Sequence, residues 1–179
     1  MPSRYRVTVG WSVGILVVLL ARPSLVSLLL GLPLALAGEA LRLWSSGHIE
    51  KTKWLATGGP YAHSRNPLYV GSLLIALGVA AACWSPWVVL AVALYFLAFY
   101  PAVMREEASF LAQKFPAEYA DWAAAVPLFW PRLSAGGQRR SRFEWARVRV
   151  NREWRTAAAL PLVALLLFLL PQLRRWLGA

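Results

Sequence analysis

The sequence predicts an all-α, polytopic membrane protein with about five transmembrane helices. Three observations carry this. Of 179 residues 59% are hydrophobic, and the mean hydropathy is +0.50, too apolar for an ordinary soluble domain. Five apolar runs approach the roughly 20 residues that a helix needs to cross hydrocarbon. Apart from Arg6 and Arg42, the basic residues fall outside these runs.

The runs are residues 5–21, 24–44, 68–83, 86–104 and 156–173. The first is short, so it stands upright or lets Arg4, Arg6 and Arg22 snorkel. It reads as a span rather than a signal peptide, because no small-residue cleavage site follows and a second run begins at once. Pro23 and Ser24 form a hinge that pairs runs one and two as an antiparallel hairpin, and Trp84-Ser85-Pro86 does the same for runs three and four. After run four, Leu111, Phe115, Tyr119, Trp122 and Val126 keep helical spacing, interrupted at Pro116. This predicts two short interfacial helices that end before Pro127 and Pro131. Residues 134–138 read as a linker, and the Arg-rich stretch to Arg155, ambiguous between helix and strand, as a membrane-surface anchor. The chain divides into a hairpin over 1–44, a core over 45–133, and an Arg-rich segment with the last span over 134–179.

The net charge is +11. Lys51, Lys53 and Arg65 lie between runs two and three, and nine arginines and one lysine lie between runs four and five. The positive-inside rule then puts the N-terminus and these two segments in the cytoplasm and the C-terminus outside. Such a basic face suits anionic lipid headgroups. Nucleic acid is not an expected partner, since no soluble basic domain is present. Cys83 has no second cysteine to pair with, and His48 and His63 lack further ligands at metal-binding spacing, so no metal site is expected.

Two polar blocks break the apolar pattern. One is Gly58-Gly-Pro-Tyr-Ala-His-Ser-Arg-Asn-Pro-Leu-Tyr69; the other is Arg105-Glu106-Glu107, just past run four. Polar groups beside spans are costly unless they pair or line a cavity, so they mark a site. Gly58 and Gly59 would let backbone approach a ligand. A carboxylate pair with aromatic faces such as Tyr61 and Tyr69 suits a cationic, hydrogen-bonding ligand. Glu39 and Arg42 share a face of run two: they are either an ion pair within the bundle or leave the arginine to reach a pocket. Gly10 and Gly14 could let run one pack closely on another helix.

In order and spacing, these motifs resemble the isoprenylcysteine carboxyl methyltransferase family, within a wider group that includes the phospholipid methyltransferases. The residues are Gly-Glu-x-Leu-Arg at 38–42, Gly-Pro-Tyr at 59–61, Arg-Asn-Pro-Leu-Tyr at 65–69, Glu-Glu-x-x-x-Leu at 106–111, and the Phe…Glu-Tyr…Trp…Val-Pro…Pro series from Phe115 to Pro131. The likeness covers about residues 36–132. It implies S-adenosyl-L-methionine as cofactor, in a cytosolic pocket built from loops and short interfacial helices. By the same resemblance Lys53, Trp54, Leu55, Ala56, Tyr61, Asn66, Pro67, Leu68, Tyr69 and Glu106 would bind the cofactor, with Arg65 and Glu107 beside them. Arg42 would orient an acceptor carboxylate, on a lipophilic molecule entering from the bilayer. Glu107, His63 or Tyr61 would be the base if the acceptor is an amine or phenol; a carboxylate needs none. The chain departs from the family at Ala102, where some members carry arginine, at Pro116, which replaces a glycine, and in its Arg-rich segment. Those departures bear on the acceptor. The alternatives are a membrane reductase of the sterol-reductase type with a nicotinamide cofactor and a non-enzymatic lipid-binding protein.

Overall fold

A computed structural model describes residues 2–50, 54–136 and 141–178. The described residues form helices α1 (Pro2–Leu20), α2 (Leu25–Ser46), α3 (Pro67–Cys83), α4 (Pro86–Lys114), α5 (Pro116–Ala125), α6 (Trp145–Val150) and α7 (Trp154–Trp176), with a 3-10 turn at Gly59–Ala62. No strand occurs among them. By length and apolar character α2, α4 and α7 can each cross a membrane, while α3 is apolar but has 17 residues. The expectation of about five spans is thus met at three on this criterion.

Local chemistry sets the boundaries. Ser24 caps α2, its hydroxyl accepting from the Ser27 amide while the Ser27 hydroxyl accepts from the Ser24 amide. Helices α3, α4 and α5 each begin at a proline, whose missing N–H is not needed in a first turn. Helix α4 runs ten residues further than the apolar run, so Arg105–Glu107 lie inside a continuous helix rather than beyond its end. Pro116 then opens α5, as the spacing predicts, but the first of the two short helices expected here is the end of α4 rather than a separate element.

Successive long helices alternate in direction. Near the start of α2, the Ser27 hydroxyl donates to the Ala82 carbonyl at 2.8 Å, and the Arg22 amide to Cys83 at 2.7 Å. Close to this end, Arg174 of α7 donates to the Val18 and Leu19 carbonyls of α1 at 2.9 and 2.8 Å. The opposite end gathers the end of α2, residues 47–50 and 54–66, the end of α4, α5, α6 and the start of α7.

The closest helix pair is α2 on α3. A methyl group at Gly38 would lie 2.6 Å from the Gly71 carbonyl oxygen, and one at Gly71 would lie 2.7 Å from that of Gly38. Small residues let these backbones touch, which is how helices associate where water supplies no driving force. This seam, not Gly10 and Gly14, is where glycine matters for packing: Gly14 has nothing within 4 Å, and Gly10 faces the Tyr95 hydroxyl. Two apolar clusters flank the seam. One, at the Arg22 end, includes Leu28, Val88 and Leu167. The other joins Leu55, Tyr61, Trp122 and Val126 to Leu111, Phe115 and Tyr119, so the predicted stripe of α4 and α5 packs under the 3-10 turn.

Candidate active site

Much of the 58–69 block is a clip. The Arg65 amide donates to the Pro127 carbonyl at 2.9 Å, and the Arg132 amide to His63 at 3.0 Å. The Ser64 hydroxyl and the Asn66 side-chain amide donate to the carbonyls of Phe129 and Leu128 at 2.7 and 2.9 Å. His63 Nδ1 lies 2.8 Å from the Arg132 carbonyl. These side chains satisfy backbone groups of a strap that would otherwise lack partners near lipid. The glycines serve the same packing. The space beside Gly59, at φ +57°, is filled by the His48 ring, and that beside Gly58 by Ser141, so both glycines admit protein rather than a ligand.

Held by the clip, Tyr61, Arg65 and Tyr69 face a polar cavity of about 440 Å³. Arg42 and Ser72 form its α2–α3 wall, Tyr100 and Glu107 line it from α4, and Asn151 and Glu153 from the approach to α7. The Arg42 Nε donates to Glu153 Oε1 at 2.7 Å, and another guanidinium nitrogen to the Ser72 hydroxyl at 2.5 Å. Glu153 is buried. The Tyr69 hydroxyl donates to Glu107 at 3.0 Å, and its ring meets Tyr100 edge to face at 5.3 Å. Arg65 donates to the Tyr119 hydroxyl at 2.9 Å.

A second cavity of about 310 Å³ adjoins the first and is mostly apolar. Trp54, Leu55 and Ala56 line it with Phe110, Leu111 and Phe115. Tyr61, Arg65 and Glu107 belong to both cavities. The Trp122 indole fixes the turn between them by donating to the Tyr61 carbonyl at 2.9 Å. The Tyr61 hydroxyl is buried without a hydrogen-bond partner. Burial first, then the nearby Glu107 carboxylate and Tyr69, hold its acidity well below that of an ordinary tyrosine, with its pKa pushed up. It therefore keeps its proton and offers a donor with no acceptor. Such an orphan is costly unless something fills the role. Together with Tyr69, Tyr100 and the Glu107 carboxylate on the polar wall, it fits a hydrogen-bonding ligand with cationic character.

Most of the predicted residues line one cavity or both. Arg42, Tyr61, Arg65, Asn66, Tyr69 and Glu107 line the polar cavity, as do Pro67 and Leu68 at the start of α3. Trp54, Leu55 and Ala56 line the apolar one. Glu106 is exposed and lines neither, being one residue, about 100° of helix, from Glu107. Lys53 lies outside the described residues. The alternative of a Glu39–Arg42 ion pair is replaced by Arg42–Glu153. Glu39 is buried at 5% exposure, and neither carboxylate oxygen has a hydrogen-bond partner. Among the described residues, no group of three or more His, Cys, Asp or Glu is arranged to hold a metal ion.

Sequence reasoning missed Tyr100, Ser72, Asn151 and Glu153. Tyr100 had a signal: it precedes Glu107 by seven residues, two helical turns on one face. Ser72 had a weaker one, three residues after Tyr69 in an otherwise apolar run. Glu153 had none, standing 111 residues from Arg42.

Comparison with known proteins agrees with the motif reading. A family model described as phospholipid methyltransferase matches residues 12–118, more than half of the chain. The chain is 46% identical over 115 residues to the cobalt-zinc-cadmium resistance protein CzcN of Cupriavidus metallidurans, covering 63% of this chain and 51% of that protein. It is 40% identical over 108 residues to the nickel-cobalt-cadmium resistance protein NccN of Alcaligenes xylosoxydans xylosoxydans, covering 59% and 49%. The chain thus spans about half the length of these relatives. No solved structure matches. With the family model spanning α2, α3, the cavity-lining part of α4 and the loop that joins them, the chain belongs to the phospholipid methyltransferase family.

Proposed function

We propose that this protein is an integral-membrane, S-adenosyl-L-methionine-dependent methyltransferase acting on a lipophilic acceptor that enters from the bilayer. The observation that carries this is the pair of adjoining cavities with the orphan Tyr61 hydroxyl in their common wall. When bound, S-adenosyl-L-methionine supplies an electrophilic methyl group. Trp54, Leu55 and Ala56 give its flat, weakly polar part an apolar bed with Phe110 and Leu111. Tyr61 donates a hydrogen bond, and Glu107, held by Tyr69, accepts one. The rings of Tyr61, Tyr69 and Tyr100 place negative faces near a positive centre. Asn66, Pro67 and Leu68 shape the polar side where the acceptor arrives, next to Arg42. Glu107 is the base nearest to hand if the acceptor must lose a proton. Positioning and charge placement of this kind supply most of what a displacement at a methyl group needs.

The cavity end faces the cytoplasm in this reading, because the basic residues cluster there. Exposed Trp145 and Trp154, with Arg149, Arg152 and Arg155, seat the segment among anionic headgroups. A role in metal resistance, the property in the names of both relatives, would then run through a modified membrane component.

Calorimetry in detergent is the direct test. S-adenosylhomocysteine should bind and NADPH should not; the reverse result would favour a reductase, and binding of neither would remove the enzyme reading. Lipids extracted after labelling with methyl-tritiated cofactor, from cells with and without the gene, would then identify the acceptor. For orientation, a cysteine at the exposed Ser134 should label from the cytoplasm and one at the exposed Trp84, at the other end of the bundle, from outside.

A further inference from the structure

Arg42 belongs to the matched region, and the motif resemblance gave it an acceptor carboxylate to hold. Here that guanidinium is already engaged. Glu153 reaches it at 2.7 Å from the approach to α7, beyond the last matched residue, 118. Both side chains line the polar cavity, with relative exposures of 19% and 7%. The Ser72 hydroxyl and the Leu68 carbonyl take further guanidinium protons.

The chain commits structure to this contact. Asn151 donates to the carbonyls of Ser46 and Ile49 at 2.9 and 3.0 Å, pinning the segment over the end of α2. Arg152 follows at φ +58°, a left-handed conformation that a non-glycine residue adopts only at a cost. The next residue is Glu153. Its carboxylate is buried, so displacing it from Arg42 would leave one charge without its partner.

We propose that Glu153 is a specificity-determining residue: it closes Arg42 to carboxylates and reserves the cavity for lipophilic acceptors whose reacting head carries no negative charge. This rests on the methyltransferase reading and narrows it. An acceptor carboxylate arriving at Arg42 would meet Glu153 as a like charge. An uncharged or basic head meets an ion pair that is already balanced, with the Glu107 carboxylate across the same cavity.

The test compares dodecanoate with dodecylamine, two probes of equal chain length and opposite charge. Binding of each is followed by tryptophan fluorescence in nanodiscs of zwitterionic lipid, using the full chain. Partition into the lipid is common to every variant, so the readout is the change in the ratio of the two dissociation constants. Glu153→Gln should move that ratio about tenfold or more toward dodecanoate. If this variant fails to fold, the doubly neutral Arg42→Gln/Glu153→Gln protein removes both charges together. With the like charge gone but no guanidinium left to pair with a carboxylate, the ratio should still move toward dodecanoate, by a factor of several rather than tenfold. A ratio unchanged in whichever variant folds would overturn the proposal and leave the pair as a structural lock. S-adenosylhomocysteine affinity, measured on the same samples, separates the two readings. Wild-type protein that binds it with an unmoved probe ratio refutes the Glu153 role alone. Wild-type protein that does not bind it refutes the methyltransferase reading on which that role rests.

Discussion

The two cavities share a wall and offer opposite surroundings. In the polar one, the ionic groups Arg42, Glu153 and Glu107 each already have a partner of their own. In the apolar one, Trp54, Leu55, Phe110, Leu111 and Phe115 present hydrocarbon. A ligand with one flat apolar part and one charged part would satisfy both, provided it crosses at Tyr61, Arg65 and Glu107. The difference teaches where specificity resides. Apolar walls tolerate many shapes within a few kcal/mol, whereas a mispaired buried charge does not. Discrimination should therefore concentrate in the polar cavity and in the shared wall.

The largest effect should come from the wall. Glu107→Gln keeps the shape and can still accept from Tyr69, so it isolates the charge. Loss of a charge-assisted hydrogen bond costs about 1.5–3 kcal/mol, or roughly ten- to a hundredfold in S-adenosylhomocysteine affinity. The neighbouring Glu106→Gln should leave that affinity within about twofold, because surface changes usually stay within about 0.5 kcal/mol. Equal losses at both positions would mean that the exposed carboxylate reaches the ligand and that the shared wall does not divide the two.

Next is a change that strikes only the polar cavity. A methyl group at Gly71 would sit 2.6 Å from the Arg42 Cγ and 2.7 Å from the Gly38 carbonyl oxygen. The arginine stem can shift, but the carbonyl is backbone and the helices must part. Gly71→Ala should destabilise the protein by about 1–3 kcal/mol, the usual range for overpacking. It should also displace Arg42 from Glu153. Thermal unfolding in detergent measures the first and probe discrimination the second. Gly14→Ala, a methyl group into open space, is the control and should change neither. A Gly71→Ala protein as stable as wild type would show that the α2–α3 seam does not hold the polar wall in place.

How far these features could be read from the sequence follows from how local their causes are. Helix starts were legible because serine and proline act within one turn: Ser24, Pro67, Pro86 and Pro116 open helices where the residues say they should. The stripe from Leu111 to Val126 was legible because its period is its burial pattern. The polar block was legible as the border of a cavity but not in its division of labour, since Ser64 and Asn66 bind carbonyls some sixty residues away. Arg42 was legible as a cation within reach of a cavity, and its partner was not. The i,i+3 spacing to Glu39 suggests a local pair, but the observed pair joins α2 to the chain just before α7. No periodicity encodes a contact that only the assembled bundle creates.

The smallest effect tests the shared wall without altering its charge. Tyr61→Phe removes one hydroxyl and keeps the ring that lines both cavities. That hydroxyl has no partner in the ligand-free protein, and leaving a buried donor unsatisfied costs about 1–3 kcal/mol. Deleting it should leave thermal stability unchanged or raise it. If the hydroxyl donates to the bound ligand, S-adenosylhomocysteine affinity should nonetheless fall by about two- to tenfold, the net worth of about 0.5–1.5 kcal/mol for one neutral hydrogen bond. The pH dependence carries a second signature. Burial raises the Tyr61 pKa in the folded protein, so the folded state keeps a proton that an unfolded tyrosine loses near pH 10. Its contribution to stability is then fully present below about pH 10 and declines as pH rises beyond that. Tyr61→Phe has no proton to lose, so its stability should fall less steeply above about pH 10 than that of the wild type. Higher stability combined with weaker binding is the pattern that a hydroxyl reserved for a ligand requires. Undiminished affinity would move the ligand off the shared wall and leave the two cavities as separate sites.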